Sequence, residues 1–115
     1  MNKKAPSLNR ISLAGNIVRD PEVRHVGSKK TAVTNITIAN NRSYLDKDKN
    51  WQEETTYVET EIWGRQAEKV EEKCKKGDPV IIEGSLKNSN WKDKDGNSHS
   101  KLLVKVDKVH ILQNS

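Results

Sequence analysis

Phenylalanine is absent from these 115 residues, and the other aromatics number five: Tyr44, Trp51, Tyr57, Trp63 and Trp91. The segments that read as core are therefore built from Ile, Val, Leu and Ala. Cysteine is nearly missing too. The single Cys74 excludes an intramolecular disulfide and fits a reducing compartment. No apolar run approaches the length of a membrane span, which excludes a helical membrane protein. The start, Met1 to Ser7, is basic but lacks the apolar stretch of a signal peptide. His25, His99 and His110 do not stand at ligand spacing with Cys74, which argues against zinc. Asp46-Lys47-Asp48-Lys49-Asn50 imitates the start of a calcium loop, but Trp51 replaces the required Gly and Tyr57 the closing Glu. There is no phosphate-binding Gly-Lys-Ser/Thr loop and no Gly-x-Ser-x-Gly. Glu59 and Glu61 read as an exposed strand face rather than a catalytic pair, and Cys74 as packing rather than a nucleophile. These absences predict a soluble intracellular protein with no enzymatic activity, cofactor, metal or membrane partner. The length predicts one domain with a real core, not two.

What is present is charge and misplaced aromatics. Lys and Arg number 21 against 16 Asp and Glu, a formal net charge of +5, with a pI near 9.4. That balance favours polyanions, though by itself it speaks only to non-specific association. The aromatics stand outside the apolar runs. Tyr44 precedes Asp46 to Lys49, and Trp91 lies between Asn90 and Lys92-Asp93-Lys94. One half-buried Trp or Tyr can cap a core without binding anything. Four on one basic surface suit a partner with exposed flat rings, and unpaired nucleic-acid bases are the candidate: aromatics stack on any base while Lys and Arg track the phosphates.

Periodicity predicts mostly strands. Leu8 to Val18 alternates through Ile11, Leu13 and Ile17; Asp20-Pro21 breaks it, and Glu22 to Val26 reads as a short return. Gly27 to Lys30 is a turn. Thr31 to Asn41 alternates again with Val33, Ile36 and Ile38 inward, and its change of phase predicts a bulge. Ser43 to Glu54 is polar and reads as an exposed loop, followed by a strand from Thr55 to Trp63. Gly64 to Lys76 reads as one helix, with Ala67, Val70 and Cys74 on one face, Glu71 and Glu72 paired to Lys75 and Lys76, and Gly77 as its left-handed cap. Asp78 to Trp91 returns to strand, Asp93 to Asn97 is a hairpin tip with an Asp-Gly turn signal, and Ser100 to Leu112 is the last strand, apolar at Val104, Val106, Val109 and Ile111. No internal repeat or low-complexity segment is evident.

Five principal strands with a helix between the third and fourth predict an all-β fold with one helix: a small antiparallel Greek-key barrel of the oligonucleotide/oligosaccharide-binding (OB) type, with Lys92 to His99 as one of the two loops flanking its binding face. The fold admits many functions, so function must come from that face.

Several runs carry a resemblance. They are Asn9-Arg10-Ile11 leading into Leu13-Ala14-Gly15-Asn16, Asp20-Pro21-Glu22-Val23-Arg24, and Ala32 to Ala39. Ile62-Trp63-Gly64-Arg65-Gln66-Ala67-Glu68, Lys75-Lys76-Gly77-Asp78, and Ile82-Glu83-Gly84-Ser85-Leu86 leading to Trp91-Lys92-Asp93-Lys94-Asp95-Gly96 complete the set. In order and spacing they resemble bacterial single-stranded DNA-binding proteins, from about Leu8 to Leu112.

The resemblance implies sequence-independent binding and protection of single-stranded DNA in replication, recombination and repair. It implies base stacking on Tyr44, Tyr57, Trp63 and Trp91, with phosphate contacts from Arg10, Lys47, Arg65, Lys76, Lys87 and Lys92. Trp51 falls where the family has no fixed aromatic and is assigned no base. It further implies a homotetramer, a dimer of dimers joined along the first strands, in the cytoplasm and associated with the nucleoid. Residues 1–7 are then a flexible N-terminal segment, 8–112 the binding domain, and 113–115 an end without the family's acidic, partner-recruiting tip. Departures are Ser89 and Asn90 where the family usually has basic residues, Glu59 at a position commonly basic or neutral, and Tyr rather than Trp at 44 and 57. A weaker site is expected, since each lost cation flattens the salt dependence by about one unit of slope. Two other readings remain open: a primosome-like protein-interaction adaptor on the same fold, and an RNA-binding OB-fold regulator.

Overall fold

A computed structural model describes residues 3–112. Its elements are β1 (Ile11–Ile17), β2 (Val23–Val26), β3 (Thr31–Leu45), β4 (Trp51–Trp63), α1 (Arg65–Lys73), β5 (Pro79–Lys92) and β6 (Ser98–Ile111). The strands form one sheet in the order β1-β5-β6-β4-β3-β2, and a further pairing of β1 with β3 closes it into a barrel. Closure is made at Asn16↔Ala39 and Ile17↔Ile38, while β1 runs along β5 from Ile11↔Gly84 to Asn16↔Pro79. The pairings are antiparallel except a short parallel contact between β4 and β6 at Thr60↔Val104 and Glu61↔Lys105. β2 is a four-residue edge strand on β3. This is the OB-type barrel with one helix that the strand pattern predicts. Lys3 to Asn9 have no regular structure and are exposed, and residues 113–115 lie outside the described residues.

The core is aliphatic, as the missing phenylalanine requires. Ile17, Ala32, Ile36, Ile38, Ile62, Val80, Ile82, Val104 and Val106 fill the barrel, and Ala67, Val70 and Cys74 from the helix region close one end of it. The helix stops at Lys73; Cys74 is already extended. Gly77, with φ 93°, is left-handed but belongs to the next turn. That turn is closed by the Asp78 N–H donating to Lys75 O (3.0 Å) and the Lys75 N–H donating to Asp78 Oδ2 (3.0 Å). The three residues between the helix end and Gly77 displace the expected cap.

The phase change in the apolar pattern of β3 does not mark the bulge expected there. β3 pairs with β4 without interruption from Val33↔Trp63 to Leu45↔Trp51. Val33 is out of phase with Ile36 and Ile38, yet it is buried on the opposite side, directly across from Trp63. The irregularity lies between β5 and β6, where the register passes from Glu83↔Lys108 to Gly84↔Val106 and leaves Asp107 unpaired. Gln66 on α1 fixes it: its side chain donates to Asp107 O and accepts from the Val109 N–H, both at 2.8 Å. Gly84 is required beside the bulge, because a Cβ there would collide with the Lys105 carbonyl oxygen.

Ser43 to Glu54 is not a loop. β3 and β4 run past the barrel as a two-stranded arm with a turn at Asp46 to Asn50. β5 and β6 form a second arm ending at Asp93 to Asn97. The radius of gyration of 17.1 Å, against about 13 Å for a compact domain of this length, reflects these two projections.

Candidate nucleic-acid interface

Strand alternation sorts the side chains. On β4, Val58, Thr60 and Ile62 point toward the core, so Tyr57, Glu59, Glu61 and Trp63 share the outer face. Asn35, Thr37 and Ala39 lie across from them on β3. Across the β4–β6 contact the same face continues through Lys105, Leu103, Lys101 and His99, and then onto β5 through Lys87, Ser89 and Trp91. Three of the four aromatics expected to stack on bases thus meet on one surface.

Each is held differently. Tyr57 is 67% exposed. Trp63 is half-buried, and its Nε1–H donates to Glu61 Oε1 at 2.6 Å. Trp91 is 45% exposed and stacks on His99 directly across the ladder, with ring centroids 5.3 Å apart and planes 18° from parallel. His99 Nε2 lies 2.7 Å from Asp93 Oδ2. Asp93 Oδ1 in turn accepts the backbone N–H groups of Asp95 and Asn97. The His99 contact, then the turn N–H groups, hold the Asp93 carboxyl below the usual aspartate range.

Desolvation raises the Glu61 pKa, but the Trp63 indole, Lys87 (3.1 Å) and Lys105 together bring it below the ordinary glutamate value. Lys101 bridges to Glu59 at 2.7 Å, with its Nζ 5.8 Å from the Trp91 ring centroid. Beside this pair is a cleft of about 360 Å³ lined by Arg19, Asp20, Asn35, Thr37, Glu59 and Lys101, between the β1–β2 connection and the face.

The other expected residues lie elsewhere. Tyr44 pairs with Gln52 on the opposite side of the β3–β4 arm, with the Arg42 guanidinium 5.0 Å above its ring. Lys47 is at that arm's tip, and Trp51 pairs there with Leu45, 70% exposed. Lys87 is on the face; Lys92, next to Trp91, points to the other side by alternation. Arg10 precedes β1 near Glu83, Arg65 opens α1, and Lys76 lies in the turn after it, its N–H bonded to Asp20 Oδ1. The face also contains Lys101, Lys105 and His99, which the sequence reading did not select. Their signal was the alternation of β6 itself, in which His99, Lys101, Leu103 and Lys105 share one side.

No group of three His, Cys, Asp or Glu able to hold a metal occurs among the described residues. No helix among them is long and apolar enough to cross a membrane.

A family model described as the single-strand binding protein family matches residues 8–112. The chain belongs to that family. Similar members include single-stranded DNA-binding protein 2 of Chlorobaculum tepidum, 34% identical over 93% of this chain and 72% of that protein. The single-stranded DNA-binding protein of Deinococcus radiodurans is 38% identical over 92% of this chain but only 35% of its own length. Among solved structures, a deletion mutant of the single-stranded DNA binding protein from Thermus aquaticus superposes with a TM-score of 0.79 at 26% identity, covering 92% of this chain and 51% of that one. The chain therefore spans between about a third and three-quarters of these family members.

Proposed function

We propose that this chain binds single-stranded DNA without sequence preference, stacking bases on Tyr57, Trp63 and Trp91 and holding phosphates with lysines between them. The observation that carries this reading is the convergence of three outward aromatics from β4 and β5 on one face of an OB barrel, within a family whose members are named for single-stranded DNA binding. Duplex DNA hides its bases from such rings. Tyr44, with Arg42 over its ring, offers a further stacking position on the other side of the arm, reached by a strand that wraps around it. Arg10, Lys47, Arg65, Lys76 and Lys92 would contact phosphates only along such a wrapped path.

Protection of single strands during replication, recombination and repair, in association with the nucleoid, is the role this activity fits. A homotetramer built from dimers is part of the same proposal. From Ile11 to Gly15 the β1 edge away from β5 has no strand partner among the described residues, β3 reaching only Asn16 and Ile17, and an open edge invites pairing with a second copy. Sedimentation giving four copies would support it.

The test of function is tryptophan fluorescence titrated with oligo-dT, with duplex DNA and with oligo-U, at two salt concentrations. Quenching by oligo-dT alone, weakening with salt, is expected. Trp91→Ala should weaken oligo-dT binding by on the order of 1–3 kcal/mol. Equal binding of duplex, or no effect of Trp91→Ala together with Tyr57→Ala, would sink the proposal. Preference for oligo-U would move it to the RNA-binding reading.

A further inference from the structure

A surface for polyanions is expected to keep its cations free, and this one does not. Glu59 and Glu61 alternate with Tyr57 and Trp63 along β4. Glu59 Oε2 lies 2.7 Å from Lys101 Nζ, and Glu61 Oε1 lies 3.1 Å from Lys87 Nζ. Lys105 stands across the parallel ladder from Glu61 and acts on the same carboxyl. Three lysines against two carboxylates leave these five groups a net charge of one (3 − 2), although the whole chain carries +5. Lys101 and Lys87 are therefore already paired with anions of the protein, and Lys105 shares the second of them.

We propose that Lys101 and Lys105, together with Lys87, form the phosphate track of this face, and that Glu59 and Glu61 occupy it in the free protein as internal stand-ins for phosphate. The inference rests on the single-stranded DNA reading above and names the residues that set its affinity and salt response. A carboxylate presents two oxygens to an ammonium much as a phosphate does, so an arriving strand exchanges one anion for another at each lysine. Two consequences follow. Affinity is reduced by the ion pair that must be broken. The salt dependence is shallow, because a lysine neutralised by its own glutamate releases little from the counterion atmosphere of the DNA.

The two glutamates are not equivalent. Glu59 and Lys101 are both about half exposed (side chains 49% and 46%), the setting in which ion pairs are weak and readily exchanged. The Glu61 side chain is only 11% exposed and also anchors the Trp63 indole. Glu59 is thus the displaceable stand-in and Glu61 the fixed one, and Lys101, beside Trp91 and the polar cleft, is the first lysine a strand captures.

The test is oligo-dT affinity across a salt series for the wild-type chain and for Glu59→Gln, Lys101→Gln and the double variant, with thermal melts to show that each folds. Glu59→Gln should tighten binding about 2- to 5-fold at low salt, the ratio matching an exposed ion pair. It should also steepen the log–log salt slope by about 0.7, the value per phosphate contact on a single strand. Lys101→Gln should lose more affinity in the Glu59→Gln background than in the wild type. If wild-type chain binds oligo-dT but Glu59→Gln leaves affinity and slope unchanged, or weakens binding, the stand-in assignment is wrong and the single-strand reading survives. If wild type gives no oligo-dT binding at all, that reading fails and takes this inference with it.

Discussion

Two of the three outward-facing aromatic rings, those of Trp63 and Trp91, are held before any ligand arrives. Trp63 is tethered through its indole N–H to Glu61, and Trp91 is backed by His99, itself bonded to Asp93. Immobilising a side chain on binding costs about 0.5–1.5 kcal/mol, which a ring already held does not incur. His99→Ala should therefore weaken oligo-dT binding by about that amount, while His99→Phe, which keeps a ring against Trp91, should restore most of it; fluorescence titration at pH 8 separates the two. Glu61 makes a prediction about pH. Its folded pKa lies below the ordinary value of 4.5, because the Trp63 and Lys87 contacts outweigh desolvation. A depressed carboxylate contributes stability that is full above its unfolded pKa and is lost as pH falls through the folded one. Melting temperature should accordingly fall below pH 4.5, and Glu61→Gln should shrink the difference between pH 7 and pH 3. A Glu61→Gln profile parallel to wild type would show that the carboxylate contributes nothing.

The two arms end in the same device. Asp46-Lys47-Asp48-Lys49-Asn50 and Asp93-Lys94-Asp95-Gly96-Asn97 differ only at the fourth position, where Lys49 stands in one tip and Gly96 in the other. In each, the first Asp Oδ1 accepts the N–H groups two and four residues on, all at 2.9 Å. In each, the fourth residue is left-handed, Lys49 at φ 64° and Gly96 at φ 82°. A side chain in that region costs roughly 1–2 kcal/mol, and glycine's greater unfolded freedom costs about 0.5–1. Lys49→Gly should therefore raise stability by about 0.5 kcal/mol and Gly96→Lys lower it comparably, read as opposite shifts in melting temperature. The same position explains what was legible in the sequence. Asp95-Gly96 announces its hairpin, whereas Lys49 hides the other, and the flanking strand residues are exposed on both faces and carry no apolar period. The phase change on β3 is no bulge but the burial of Val33 across from Trp63, and the true irregularity, between β5 and β6, was not expected. Rings in polar company are conspicuous in the sequence, but that sign covers all five aromatics, and only strand pairing separates Tyr57, Trp63 and Trp91 from Tyr44 and Trp51. The alternation of β6 puts Lys101 and Lys105 on one side, but only the parallel β4–β6 contact brings that side beside Glu59 and Glu61.

On the scale of the molecule, a closed aliphatic barrel carries two ribbons that bury little of themselves. Two-stranded ribbons are marginal without further support, so the arms should open far more often than the barrel. Amide exchange should be slowest at Ile36, Ile38, Ile82 and Val104, all buried in the barrel, and fast from Ser43 to Glu53 and from Lys87 to Ser100. What steadies the β5–β6 arm is then measurable. If the arm bearing Trp91 and Lys87 is part of the strand-binding face, oligo-dT should slow exchange between Lys87 and Lys101 at fixed protein concentration. If the arm is instead covered by other copies of the chain, protection there should rise with protein concentration and change little on adding oligo-dT. The outcome decides whether this projection exists to grip DNA or to assemble the protein, two demands that the same exposed ribbon could otherwise meet equally well.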